Sequence, residues 1–162
     1  MSSLLEGDLQ PKASGKTEIV NIEPTAATPV VTNKLLDSSA ISKYALKEPG
    51  WQEVEQHLVG CSSIELALKE TANALWKKIM KKEVELQSAK QIVKMLSGII
   101  WCLDQAKHLD RALEIATKHK LSVYDALFLA SAEAESYVLV SCDLRQLEVA
   151  ASLGINSIRI EP

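Results

Sequence analysis

Three aspartates in this chain stand where a carboxylate has unusual consequences. Asp37 ends a short apolar run, Asp143 ends the β-prone run Tyr-Val-Leu-Val-Ser-Cys, and Asp125 falls on the apolar stripe predicted for a helix over residues 121–136. An ionised carboxylate is too costly to bury without a partner, a helix N-terminus or a cation beside it. Carboxylate oxygens are also the ligands that Mg²⁺ and Mn²⁺ prefer. The three aspartates are therefore candidate metal ligands.

Each aspartate also has a purely structural interpretation. Ser122 and Asp125 have the spacing of a capping box, in which the two residues satisfy backbone N–H groups at a helix start. Asp37 and Asp143 each precede a helical stretch and are suitable N-caps. The residues leave both interpretations open at every position. It is the joint occurrence of the three acids that favours a functional site.

The elements around these acids alternate between strands and helices. β-type runs precede Asp37 and Asp143 and close the chain at residues 155–162, and helical periodicity lies between them, most strongly over residues 64–82. This alternation predicts an α/β fold with a mostly parallel sheet covered on both faces. Ligands bind such sheets beyond the carboxyl ends of the strands. If the strands before Asp37 and Asp143 are neighbours, their carboxylates and Asp125 meet at one edge.

Length and composition indicate one globular domain preceded by an extension. The chain has 162 residues, of which 47% are hydrophobic and 24% charged, which suits a single domain with a real core. Residues 1–31 contain three prolines and no sustained periodicity, which predicts an N-terminal extension that is flexible or extended. The domain is expected to cover residues 32–162.

Charge and cysteine content narrow the function classes further. A formal net charge of −3 argues against a protein that coats a polyanion through a bulk positive field, although an acidic nuclease site is compatible with it. No apolar run is long enough to span a membrane and no secretory leader is recognisable, so a cytoplasmic protein is expected. Cys61, Cys102 and Cys142 are widely spaced, and we expect them to be buried as small apolar residues.

Four stretches carry a resemblance to a known family. In order and spacing, Lys-Leu-Leu-Asp-Ser-Ser at 34–39, Lys-Glu-Thr-Ala-Asn-Ala-Leu-Trp at 69–76, Tyr-Asp-Ala-Leu at 124–127 and Val-Ser-Cys-Asp at 140–143 closely resemble the PIN-domain ribonucleases, particularly the VapC-type toxins. The resemblance spans roughly residues 33–160. It implies a PIN-like α/β/α sandwich with a mostly parallel central sheet of four to five strands.

The resemblance also implies an activity and its ligands. It implies an Mg²⁺- or Mn²⁺-dependent endoribonuclease whose metal is held by Asp37, Glu70, Asp125 and Asp143. It implies an RNA substrate, a homodimer and a small antitoxin protein as partner. The family usually has threonine where this chain has Ser141, which keeps the hydroxyl. Some members carry a further acid just after the last aspartate, which this chain lacks.

Glu70 has a competitor, Glu65, on the same predicted helix. Helical periodicity places Glu70 nearly opposite the predicted apolar stripe and Glu65 beside that stripe, so periodicity alone favours Glu65 as the enclosed acid. The local match around Glu70 favours Glu70. A solvated glutamate paired with Lys69 or Asn73 is the structural alternative.

Three further interpretations remain open beside the nuclease. A basic cluster at Lys77, Lys78, Lys81 and Lys82 could guide a phosphate backbone, although a solvated helix end explains it as well. A PIN-like protein-interaction module with weak catalysis is the main alternative function. A phosphoacceptor receiver domain fits less well, because it requires a pair of acids at the first strand and a lysine after the last one.

Overall fold

Five short parallel strands form one sheet in the computed structural model, which describes residues 32–161. The strand order is β3-β2-β1-β4-β5, and every adjacent pair is parallel. The predicted α/β class with four to five strands is confirmed. The strands are β1 (Lys34–Leu36), β2 (Ser62–Ile64), β3 (Trp101–Leu103), β4 (Val138–Ser141) and β5 (Ser157–Arg159).

Seven α-helices of the described part connect and cover these strands. A single 3₁₀ turn, Ala106–His108, precedes the fifth of them. The helices are α1 (Ser38–Ala45), α2 (Trp51–Leu58), α3 (Glu65–Met80), α4 (Leu86–Ile99), α5 (Leu109–His119), α6 (Val123–Glu135) and α7 (Leu144–Ser152).

The helices form two layers, one on each face of the sheet, because crossover connections between parallel strands are right-handed. The connections β1 to β2 and β2 to β3 run in one direction across the sheet, and α1 packs against both α2 and α3 on that face. The connections β3 to β4 and β4 to β5 run in the opposite direction, and α6 packs against α5 and α7 on the other face. The result is an α/β/α sandwich.

The core lies between the sheet and these layers. Leu35 and Leu36 of β1 and Leu139 and Val140 of β4 are fully buried, as expected of central parallel strands covered on both faces. Helix α6 is the most enclosed helix, since all residues from Ala126 to Ala132 are buried. Its apolar surface is therefore continuous over two turns, whereas the sequence predicted one stripe.

The order of the strands reverses between β1 and β4. The chain builds outward from β1 through β2 to β3, then returns to β4 on the other side of β1. In α/β sheets this reversal opens a crevice beyond the carboxyl ends of the two central strands, where ligands bind. Asp37 directly follows β1 and Asp143 follows β4 after one residue, so both acids flank this crevice.

Several expectations need correction. Helix α3 starts at Glu65, because Ile64 belongs to β2. Its buried face is made of Ala67, Thr71 and Leu75, which is rotated away from the apolar stripe predicted beside Glu65. The three cysteines are free, as predicted, but Cys61 is the buried one; Cys102 is exposed on the edge strand β3 and Cys142 is half-buried.

Two other expectations concern the ends of the chain and membranes. The extension predicted for residues 1–31 lies outside the described residues. Among the helices within residues 32–161, none has the length and hydropathy needed to cross a membrane.

Candidate active site

Asp37 is the buried centre of the candidate site. Its side chain is 3% exposed, and it caps α1 by accepting the N–H of Ala40 at Oδ1 over 2.9 Å. The predicted helix-cap role is therefore real. The same Oδ1 accepts the hydroxyl of Ser39 at 2.7 Å, and Oδ2 accepts the hydroxyl of Ser141 at 2.5 Å. Three donors thus hold the carboxylate in one orientation at the end of β1.

Two serines connect Asp37 to the segment that carries Asp143. The Ser39 hydroxyl, which donates to Asp37, accepts the backbone N–H of Cys142 at 2.8 Å. The Ser141 hydroxyl, which also donates to Asp37, accepts the backbone N–H of Asp143 at 2.9 Å. Because both bridges are single side chains, the position of Asp143 is fixed relative to the carboxylate of Asp37.

Burial makes Asp37 a weak acid. Its pKa is raised from 3.8 to about 6, mainly because burial removes the carboxylate from water. The hydrogen bonds from Ser141, Ala40 and Ser39 stabilise the charged form and oppose this rise. The negative charge of Asp143 raises this pKa further, which places the two carboxylates within electrostatic reach of each other. An opposite charge in the crevice would relieve both effects.

Asp143 is exposed and lies at the start of α7. Its Oδ1 accepts the N–H of Gln146 at 3.0 Å, so the predicted N-cap role is also real. The strands β1 and β4 pair directly, which confirms that Asp37 and Asp143 meet at one edge of the sheet. Both acids sit at helix N-termini, where the helix dipole stabilises negative charge.

Asp125 lies in the first turn of α6 and is half-buried. Ser122 caps this helix, since its hydroxyl accepts the N–H of Asp125 at 3.0 Å and donates to Asp125 Oδ2 at 2.7 Å. The backbone carbonyl of Asp125 accepts Nε2 of Gln146 at 3.0 Å, which joins the start of α6 to the start of α7. The capping interpretation therefore holds, and the Gln146 contact places Asp125 next to the first turn of α7, the helix that Asp143 caps.

Glu70 and Glu65 have opposite surroundings. Glu70 is half-buried on α3, and its Oε2 accepts the hydroxyl of Ser38, which directly follows Asp37 in the chain. Glu65 is exposed and pairs with Lys69 at 3.1 Å. The periodicity argument for Glu65 is wrong because α3 turns a different face to the core. Of the two glutamates, Glu70 is the one that reaches the Asp37 corner.

The donor chemistry at this edge fits a hard divalent cation. The side chains along this edge offer carboxylate and hydroxyl oxygens, the ligands of Mg²⁺ and Mn²⁺. The raised pKa of Asp37 indicates a carboxylate whose charge lacks full compensation. The geometry is incomplete, however, since no three Asp, Glu, His or Cys side chains in residues 32–161 come close enough to hold one ion. We call Asp37 and Asp143, which Ser39 and Ser141 link, the core pair. Asp125 is joined to the start of α7 through Gln146, and Glu70 contacts Ser38 beside Asp37.

Sequence reasoning missed several residues that organise this edge. Ser38, Ser39 and Gln146 hold the acids, and none was singled out. Gln146 had a readable signal, because Asp143 and Gln146 have the spacing of a capping box. The serines had only their place after an aspartate N-cap. Ser141, which the resemblance marks only as keeping a hydroxyl, is fully buried and donates that hydroxyl to Asp37.

The basic cluster lies at the C-terminal end of α3, about two turns beyond Glu70 along the helix. Lys77, Lys81 and Lys82 are exposed, while Lys78 donates to Glu83 at 2.5 Å in the turn before α4. This supports the solvated-helix-end interpretation for Lys78.

The fold and the acidic edge together define the class of protein. Residues 34–152 match the sequence model of the PIN domain, so the chain belongs to the PIN domain family. This match covers the four predicted acids and all strands except β5.

Two comparisons with Pyrobaculum aerophilum extend this result. The chain is 29% identical over 109 residues to a protein named Exonuclease VapC9, a match that covers 67% of this chain and 79% of the relative. It is also similar to the crystal structure of PAE2754, with a TM-score of 0.62, 26% identity, and coverage of 75% of this chain and 87% of that one.

Proposed function

We propose that this chain is a divalent-metal-dependent ribonuclease that hydrolyses internal phosphodiester bonds of RNA. The observation that supports the proposal best is the pairing of Asp37 and Asp143 at the strand-order reversal, with Asp37 buried and fixed by three hydrogen bonds. Membership of the PIN domain family and the nuclease name of a relative agree with it.

Each acid has a role in the proposed reaction. Asp37 and Asp143 would hold an Mg²⁺ or Mn²⁺ ion between them, with Asp125 and Glu70 completing its surroundings. A bound ion supplies a Lewis acid that activates water and neutralises charge on the scissile phosphate. The protein supplies fixed geometry, because Ser39 and Ser141 lock the core pair. RNA as the substrate rests on the resemblance of the motifs to the VapC-type toxins.

Internal cleavage is proposed because the edge is open. Asp143 is exposed, and Leu144 beside it and Tyr124 beside Asp125 are 53% and 62% exposed, so these residues do not enclose the end of an RNA strand. The relative is named an exonuclease, which makes this point testable. A circular RNA has no ends. Its cleavage supports internal cutting, and degradation of the linear form alone contradicts it.

The central experiment is RNA cleavage with Mg²⁺ or Mn²⁺ by the wild type and by Asp37→Asn and Asp125→Asn. We expect both variants to lose most activity and EDTA to abolish the wild-type activity. Asp110→Asn, which removes an exposed acid from α5, is the matched control and should cleave normally. Cleavage that survives both site substitutions, or that ignores EDTA, overturns the proposal. A parallel DNA substrate tests the preference for RNA.

The two glutamates of α3 supply a second matched pair. Glu70→Gln should lower cleavage and weaken Mn²⁺ binding measured by calorimetry, because Glu70 reaches the Asp37 corner through Ser38. Glu65→Gln removes an acid of the same charge that pairs with Lys69 at the surface, and it should change neither the cleavage rate nor Mn²⁺ binding. The reverse result would assign the ligand to Glu65.

We also propose that the chain is the toxin of a toxin-antitoxin pair, acts as a homodimer and is held by a small antitoxin. The resemblance to the VapC-type toxins supports this. Expression in a bacterial host should arrest growth, and Asp37→Asn should not. Active nuclease without growth arrest would contradict the toxin role.

The alternative is a PIN-like protein-interaction module with weak catalysis. The incomplete metal geometry within residues 32–161 is the observation that favours it. Mn²⁺ binding distinguishes the two functions. Micromolar or tighter binding that depends on Asp37 supports the nuclease, and its absence supports the module.

A further inference from the structure

Helices α3 and α4 leave an apolar groove of about 420 Å³ between them. Leu75 and Ala89 are buried in its floor, whereas Trp76 and Leu86 on its walls are 54% and 61% exposed. Large apolar side chains that stay uncovered side by side mark an interaction surface. No segment within residues 32–161 covers these two side chains, so the groove has room for an additional occupant.

Lysines define the chemistry of that occupant. Lys90 and Lys94 of α4 line the same groove. Within residues 32–161, neither Lys90 nor Lys94 forms an ion pair. Lys78, in contrast, pairs with Glu83. An apolar groove with unpaired cations on its rim suits an apolar segment flanked by acidic residues.

The chain itself contains such a segment before the described part. Residues 18–23 read Glu-Ile-Val-Asn-Ile-Glu, with three large apolar residues between two acids. A second apolar stretch at residues 4–9 carries its acids internally and lies further from the domain. Residues 1–31 as a whole contain four acidic and two basic residues, so their charge opposes that of the lysines.

The chain is long enough to bring this segment to the groove. Thr32 donates its N–H to the carbonyl of Gly60 at 2.8 Å, and Trp101, two residues after α4, donates to Cys61 at 3.0 Å. The domain therefore begins close to the end of α4. The groove residues of α4 lie at positions 86–94, which is about 8–20 Å from the C-terminal end of the helix at 1.5 Å per residue. The nine residues from 23 to 32 span up to about 30 Å when extended.

We propose that residues 18–23 dock in the α3–α4 groove of the same molecule, with Ile19, Val20 and Ile22 against its apolar walls and the two glutamates beside Lys90 and Lys94. A tether of this length gives an effective concentration in the millimolar range. The segment therefore has an advantage over a free partner of similar intrinsic affinity.

Hydrogen exchange of the full chain tests the proposal. Backbone amides of residues 19–23 should exchange about tenfold or more slowly than those of the isolated peptide 1–31, at every protein concentration tested. The double variant Lys90→Glu/Lys94→Glu changes only exposed residues and should abolish this protection. Lys81→Glu/Lys82→Glu alters the same helical hairpin outside the groove lining, and it should leave the protection intact. Adding Glu18→Lys/Glu23→Lys to the first variant should restore it.

Three results would overturn the proposal. The first is exchange of residues 19–23 at the rate of the isolated peptide. The second is protection that survives the reversal of Lys90 and Lys94. The third is protection that grows with protein concentration, which would assign the groove to a second copy of the chain.

Discussion

Replacing the buried carboxylate of Asp37 should stabilise the metal-free protein near neutral pH while it removes activity. The folded state raises the pKa of Asp37 from 3.8 to about 6, mainly by desolvation. A carboxyl group with a raised pKa binds its proton more tightly in the folded state than in the unfolded state. Its contribution to stability is therefore present below pH 4 and is lost as the pH rises through 6.

The size of this loss follows from the pKa difference. About two pH units correspond to about 3 kcal/mol at pH 7.5. Asp37→Asn keeps an acceptor for Ala40 and Ser39 but presents an amide to Ser141, at a cost of about 1 kcal/mol. We expect Asp37→Asn to be less stable than the wild type by about 0.5 kcal/mol at pH 4, because ionisation of the unfolded wild type has begun there, and more stable by about 2 kcal/mol at pH 7.5.

Urea unfolding in EDTA at several pH values measures this difference. Asp110→Asn, at an exposed position, should follow the wild-type stability across the range. Saturating Mg²⁺ at pH 7.5 should then raise the stability of the wild type and not that of Asp37→Asn, because a ligand stabilises only the state that binds it. A stability difference between wild type and Asp37→Asn that is the same at pH 4 and pH 7.5 would refute the reasoning.

The neighbours of the acids and the core supply further predictions. Ser141→Ala removes a donor to Asp37, so it should raise the pKa of Asp37 by about one to two pH units and move the acid limb of the cleavage profile upward, whereas Ser141→Thr should not. Gln146→Leu leaves the carbonyl of Asp125 without its donor and should lower kcat for RNA cleavage with an unchanged far-UV circular dichroism spectrum. Phe128→Ala, at a site 2% exposed, should lower the unfolding free energy by about 3–5 kcal/mol in urea titrations and leave the metal affinity of the folded state unchanged.

The positions of Asp37 and Asp143 were predictable because local signals agree there. A short β-type segment with apolar residues ends at or just before each acid, and a helical stretch follows. An acid at this position both caps the following helix and lies at the carboxyl edge of the sheet. The cap and site interpretations are therefore compatible, since the geometry that makes Asp37 an N-cap also aims it into the crevice.

The neighbourhood of the acids depends on contacts that no local pattern encodes. The pairing of β1 with β4 brings together residues about 100 positions apart, and strands of three or four residues carry little information on their partners. The surroundings of Glu70 likewise depend on a tertiary contact that local periodicity does not encode. Periodicity treats α3 as packed on the sheet, but α3 also packs on α1, which moves its buried face to Ala67 and Thr71. The motif resemblance selected Glu70 where periodicity favoured Glu65.

The environment of Asp37 makes the proton and the cation competitors for one group. Burial disfavours the charged carboxylate, and the hydrogen bonds from Ser39, Ser141 and Ala40 keep it from becoming neutral at pH 7. A cation that binds there must displace the proton, so cation uptake near pH 6 should release close to half a proton per site. A fourth hydrogen-bond donor would lower the pKa of Asp37, so cation binding would release fewer protons near pH 6. Loss of a donor would raise this pKa and favour the protonated carboxyl group. The three hydrogen bonds therefore set the pH above which the proposed metal site is available.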